Sequence, residues 1–90
     1  MNIVQTPTFG KQIKKLHKNQ KQDLDQAIRD ILDDSLIGDV KKGDLSGIRV
    51  FKFKMVGQLT LLAYIVEQDA LQLVLLALGS HENFYRDLKR

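Results

Sequence analysis

The hydrophobic pattern of this chain changes period once, near Gly47, and that change restricts the folds open to it. Downstream, Ile48 to Lys54, Leu59 to Glu67 and Leu71 to Leu78 are rich in branched and aliphatic residues with a strand-like repeat of two. The connections between them, Met55-Val56-Gly57-Gln58 and Gln68-Asp69-Ala70, are hairpin-sized, so the three segments predict an antiparallel meander. The second and third are apolar on both faces and belong at the centre of a sheet. The first alternates, with Lys52 and Lys54 on one side and Arg49, Phe51 and Phe53 on the other.

Upstream of the change the spacing is helical. Thr6-Pro7 is a helix start, because threonine caps and proline suits the first helical position. Phe9, Ile13 and Leu16 then share one face, and this helix is expected to end near Asn19. A second helix carries Leu24, Ile28, Ile31, Leu32 and Leu36 on one stripe and ends before Gly38. Asn2 to Gln5 reads as a short edge strand, and a terminal helix is expected from His81 to about Lys89, with Ser80 as its N-cap. Helices followed by strands predict an α+β fold of order β-α-α-β-β-β-α. A helical hairpin then packs on a small, mainly antiparallel twisted sheet, with a short C-terminal helix.

Ninety residues suit a single domain over 1–90, with room for one core and little for grafted sites. There is no cysteine, so a disulfide framework and a thiolate metal site are both excluded. The first residues lack a basic region followed by an apolar one, and the apolar runs are broken well short of membrane-spanning length. The expectation is a cytoplasmic protein that does not engage a membrane. A net charge of +3 is unevenly spread. Lys11, Lys14, Lys15, Lys18 and Lys21 cluster without an acidic neighbour, whereas Asp23, Asp25, Asp30, Asp33, Asp34, Asp39 and Asp44 dominate the middle. Such a dipolar surface steers a polyanion toward one face, although two solvated helix faces would give the same pattern.

Few residues have the chemistry of a site. Two ammonium groups on alternate positions of one strand, Lys52 and Lys54, stand roughly 7 Å apart and suit neighbouring phosphates or one crowded transition state; lysines that merely discourage edge pairing are the plain alternative. Arg49, at the strand start, could reach a phosphate or Asp44. His81 and Tyr85, four residues apart, fall on one face of the expected last helix and offer a proton-transfer group and a phenol. A local cap role for His81 and a core role for Tyr85 compete with that reading. Arg86 adds a cation nearby. No calcium-loop spacing, glycine-rich phosphate loop or Gly-x-Ser-x-Gly elbow occurs, which leaves phosphoryl chemistry without metal or cofactor, or plain binding.

The basic strand Arg49-Val50-Phe51-Lys52-Phe53-Lys54, the segment Ser80 to Tyr85, and the Gly47-Ile48-Arg49 start of the meander together resemble the RelE/ParE superfamily of bacterial toxins from type II toxin–antitoxin pairs. Fold order agrees over essentially the whole chain. The resemblance implies a cognate antitoxin protein and, for RelE-like members, ribosome-dependent cleavage of messenger RNA by the substrate's own 2′-hydroxyl. Carried over residue by residue, Lys52 and Lys54 resemble the basic strand pair, and His81 and Tyr85 resemble the histidine and aromatic near the last helix. Arg49 and Arg86 would add phosphate-binding charge. One departure stands out: Leu59 to Val66 and Leu71 to Leu78 carry no arginine, unlike the most basic members. ParE-like relatives, which poison DNA gyrase, are therefore the second expectation, and a non-catalytic protein or nucleic-acid interaction module on the same fold is the third.

Overall fold

The computed structural model describes residues 1–80 together with Phe84, Tyr85 and Leu88. Strand β1 (Asn2–Gln5) leads into helices α1 (Pro7–Lys14) and α2 (Lys18–Asp33), followed by strands β2 (Asp39–Val40), β3 (Arg49–Met55), β4 (Gln58–Glu67) and β5 (Gln72–Gly79). The sheet order is β1-β5-β4-β3-β2. The meander pairs antiparallel throughout, whereas β1 joins β5 in parallel, so the sheet is mixed. Phe84, Tyr85 and Leu88 are helical. No helix among the described residues is long and apolar enough to cross a membrane.

Local chemistry explains where the helices stop. α1 starts as expected, with the Phe9 amide donating to the Thr6 hydroxyl at 3.1 Å and Pro7 at the first helical position. It ends at Lys14 rather than near Asn19, because α2 begins afresh: the Gln20 side chain reaches back to accept the His17 amide at 2.8 Å. With His17 in extended backbone at the N-cap, that contact starts a new helix and breaks the run. α2 ends at Asp33, short of Leu36. The Asp34 carboxylate accepts the Leu36 amide at 3.1 Å, offering the backbone a local turn in place of another helical rung.

Two apolar layers sandwich the sheet. On its inner face, Phe9, Leu24 and Ile31 of the helices meet Leu62, Tyr64, Leu73 and Leu75, with Phe51 and Phe53 packed alongside. On its outer face, Phe84 covers Val50, Leu61, Ala63 and Ala77, with Ile48, Tyr85 and Leu88 at the margin. β4 and β5 are central, as their two-sided hydrophobicity requires.

An irregularity in β5 lets one strand serve both layers. Ala63 pairs with Ala77 but Tyr64 pairs with Leu75, leaving Leu76 as the extra residue of a bulge. β1 ends opposite Leu75, so the bulge edge lacks a strand partner. α1 supplies one: the Thr6 hydroxyl donates to the Leu76 carbonyl at 2.6 Å, and the Gln12 side-chain oxygen accepts the Leu78 amide at 2.7 Å. These two bonds hold the strand end from which the chain continues to Ser80 and Phe84.

Candidate nucleic-acid interface

Alternation along β3 determines which cations meet. Arg49, Phe51 and Phe53 face the helices, whereas Val50, Lys52 and Lys54 face outward, with Val50 buried beneath the Phe84 layer and both lysines exposed. Lys52 lies opposite Leu61 and Lys54 opposite Leu59. Lys54, near the end of the strand, also lines a shallow cleft of about 160 Å³ between α2 and β3 that holds Asp23 and Asp30. The two lysines therefore stand in different surroundings: Lys52 on the open sheet face, Lys54 at its acidic border.

Tyr85 is half-buried on the outer face. Its ring packs edge-on against Phe84, with centroids 5.1 Å apart and planes at 85°, while Phe84 is 1% exposed. The Phe84 amide donates to the Ser80 carbonyl at 3.1 Å, closing a helical turn on the residue expected as N-cap. The Lys41 ammonium stands 5.6 Å from the centre of the Tyr85 ring, within cation–π range. Nothing in the sequence around Lys41 singles it out. Its placement depends on β2, a two-residue strand containing an aspartate and too short to show a period of two.

Arg49 is not brought to the lysines. Its guanidinium donates from Nη1 to the Leu36 carbonyl at 3.2 Å and the Gly38 carbonyl at 2.9 Å. Directly across the ladder, the Tyr64 hydroxyl donates to the Ser35 carbonyl and accepts the Gly38 amide, both at 2.9 Å. Arginine and tyrosine together hold the loop from Ser35 to Gly38 against the sheet. Burial pushes the Tyr64 phenol above its ordinary value, against the opposing pull of the Gly38 amide and the Arg49 cation. Asp44, the alternative partner considered for Arg49, has a side chain outside the described ones, and His81 and Arg86 also lie outside the described residues.

The outer face thus gathers Lys41, Lys52 and a half-buried phenol, with Lys54 at its edge. Such a surface can take phosphate through ammonium groups and a nucleobase on an aromatic ring. The chain belongs to the ParE-like toxins of type II bacterial toxin–antitoxin systems, whose family model matches residues 3–89. Among solved structures, the toxin fold recurs in the intact E. coli RelBE toxin–antitoxin complex at a TM-score of 0.72 and 17% identity, covering 90% of this chain and 96% of the other. A mutant E. coli RelE in the free state gives 0.75 and 15%, covering 97% and 87%. The YoeB/ParE toxin from Agrobacterium tumefaciens gives 0.72 and 16%, covering 90% and 99%. At these identities the likeness is one of fold. No curated protein matches the sequence.

Proposed function

We propose that this toxin cleaves messenger RNA on the ribosome without a metal ion, and that a cognate antitoxin protein neutralises it. The observation carrying this reading is that the exposed Lys52 and a half-buried phenol share the outer sheet face, with Lys54 exposed at its border. The antitoxin partner draws support from the family and from the RelBE complex that shares the fold.

In the proposed reaction the 2′-hydroxyl oxygen bonds to the adjacent phosphorus while the bond to the 5′-oxygen of the next nucleotide breaks. The products are a 2′,3′-cyclic phosphate and a 5′-hydroxyl. His81, four residues before Tyr85 in the chain, takes the hydroxyl proton or returns one to the leaving oxygen. Lys52 and Lys54 neutralise the crowded phosphorane, and Tyr85 positions the base or phosphate. Arg49, engaged with two loop carbonyls, contributes by holding the fold.

The second reading, a gyrase inhibitor, is favoured by one feature: β4 and β5 carry no arginine to stabilise the phosphorane. Induced expression in cells separates the two. Messages cut within reading frames support the nuclease; intact messages with inhibited supercoiling replace it with the gyrase reading. At the site, His81→Gln is expected to lower the single-turnover cleavage rate by roughly 10²- to 10⁴-fold with ribosome binding unchanged. Lys52→Ala with Lys54→Ala weakens both binding and cleavage. Asp33→Asn, at the exposed end of α2, changes neither. A folded His81→Gln protein as active as the parent removes histidine from the mechanism.

A further inference from the structure

We propose that Lys41 is a third phosphate-binding cation of this toxin, one that acts with the Tyr85 ring to grip the backbone of single-stranded RNA beyond the Lys52 contact. The proposal rests on the RNA reading above and adds a residue to it.

Backbone geometry is the first support. The Lys41 amide donates to the Ile48 carbonyl at 2.9 Å, which continues the β2–β3 ladder past the Val40–Arg49 pair. Residues directly opposite in an antiparallel pair present their side chains to the same face. Lys41 therefore shares a face with Ile48, which packs in the outer layer beside Tyr85. The main chain, not a chance rotamer, sends this lysine to the outer side.

Charge supplies the second support. With Arg49 committed to the Leu36 and Gly38 carbonyls, Lys41 is, among the described residues, the cation seated on the Tyr85 ring. A half-buried lysine with its head on an aromatic face keeps its stem ordered and its ammonium near water. An ammonium held by a ring quadrupole is held weakly enough to exchange that contact for a phosphate oxygen.

Spacing decides what the lysine can touch. Ile48, the residue just before β3, and Lys52 are four residues apart, on the order of 13 Å along extended chain. Lys41, opposite Ile48, therefore stands far enough from Lys52 for the two lysines to take different phosphates of an extended strand. Tyr85, beside Lys41, can stack a base whose own phosphate lies within the lysine's reach.

The test is binding of the full-length toxin to a short single-stranded RNA with 2′-O-methyl riboses, which cannot be cleaved, measured across about 50 to 200 mM salt. Each lost phosphate contact on a single strand flattens the slope of log K against log salt by about 0.7. Lys41→Met is expected to show that loss with an unchanged melting temperature, and Lys41→Arg is expected to keep the parental slope. Lys41→Gln replaces the methionine variant if that one fails to fold. A folded Met or Gln variant with the parental slope overturns the assignment of Lys41 while leaving the nuclease reading intact. A parent that neither binds this RNA nor cuts messages in cells overturns both.

Discussion

At the scale of single residues, Tyr64 does the most to hold an irregular stretch in place. It is fully buried, and its hydroxyl is the partner of both the Gly38 amide and the Ser35 carbonyl. The fit is tight: a side-chain carbon at Gly38 would stand 2.7 Å from that hydroxyl. Tyr64→Phe keeps the ring but strands two backbone groups, so a loss of about 1 to 3 kcal/mol is expected in denaturant unfolding. The phenol also makes stability depend on pH. Because burial raises its folded value above 10.0, the stabilisation is complete below that pH and is lost as pH rises through the folded value. The gap between the parent and Tyr64→Phe should therefore be constant near neutrality and narrow above pH 10.0. A gap that does not narrow would show that the loop does not depend on the neutral phenol. None of this was legible beforehand: the sequence marked Tyr64 as one more apolar position of a central strand, and its partners lie 26 and 29 residues away.

At the scale of elements, the meander was the legible part, because a repeat of two is intrinsic to each strand and the turn chemistry lies between them. β3, expected over Ile48 to Lys54, forms over Arg49–Met55, and β4 and β5 differ from expectation by a single residue at their ends. The features with no local signal in the sequence depend on contacts distant along the chain. β2 is strand only because β3 pairs with it, and β1 lies parallel only because the helical hairpin returns the chain to the far side of the sheet. The β3–β4 turn is instructive. Val56 and Gly57 have φ of 50° and 79°, the left-handed pair of a tight hairpin, yet valine is branched and poorly suited there. The Val56 amide compensates by donating to the Asp23 carboxylate of α2 at 2.8 Å, which ties the turn to the helical layer. Val56→Asn should keep that bond and relieve the strain, raising stability by about 1 kcal/mol in thermal unfolding. If Val56→Asn proved less stable than the parent, the exposed valine would have to be contributing contacts that outweigh its backbone cost.

For the whole molecule, what remains exposed bears on how the toxin is held in check. Among the described residues the sheet has an open edge on each side, and apolar residues gather at both. Met1, Ile3 and Val4 line β1 with Leu71 beside them, and Leu32, Leu36, Ile37 and Val40 surround the end of α2 and β2. Strand edges of this kind invite an added strand, and apolar patches beside them invite a helix. The lysine-bearing outer face lies between the two edges, so a partner reaching either one is positioned to cover it. The proposed antitoxin should therefore stabilise as it neutralises. Binding only the folded toxin adds about 2.7 kcal/mol at a concentration one hundred times the dissociation constant. For a domain of this size each kcal/mol moves the melting point by roughly 4 to 8 °C, so the complex should melt about 10 °C or more above the free toxin. Val4→Lys and Val40→Lys, each on an exposed position of one edge, should leave the free toxin's melting point nearly unchanged. The edge that seats the partner is the one whose lysine variant loses most of the gain. If the product of the neighbouring gene raised the melting point of the parent not at all, neutralisation by coverage would be wrong, whatever the chemistry of the outer face.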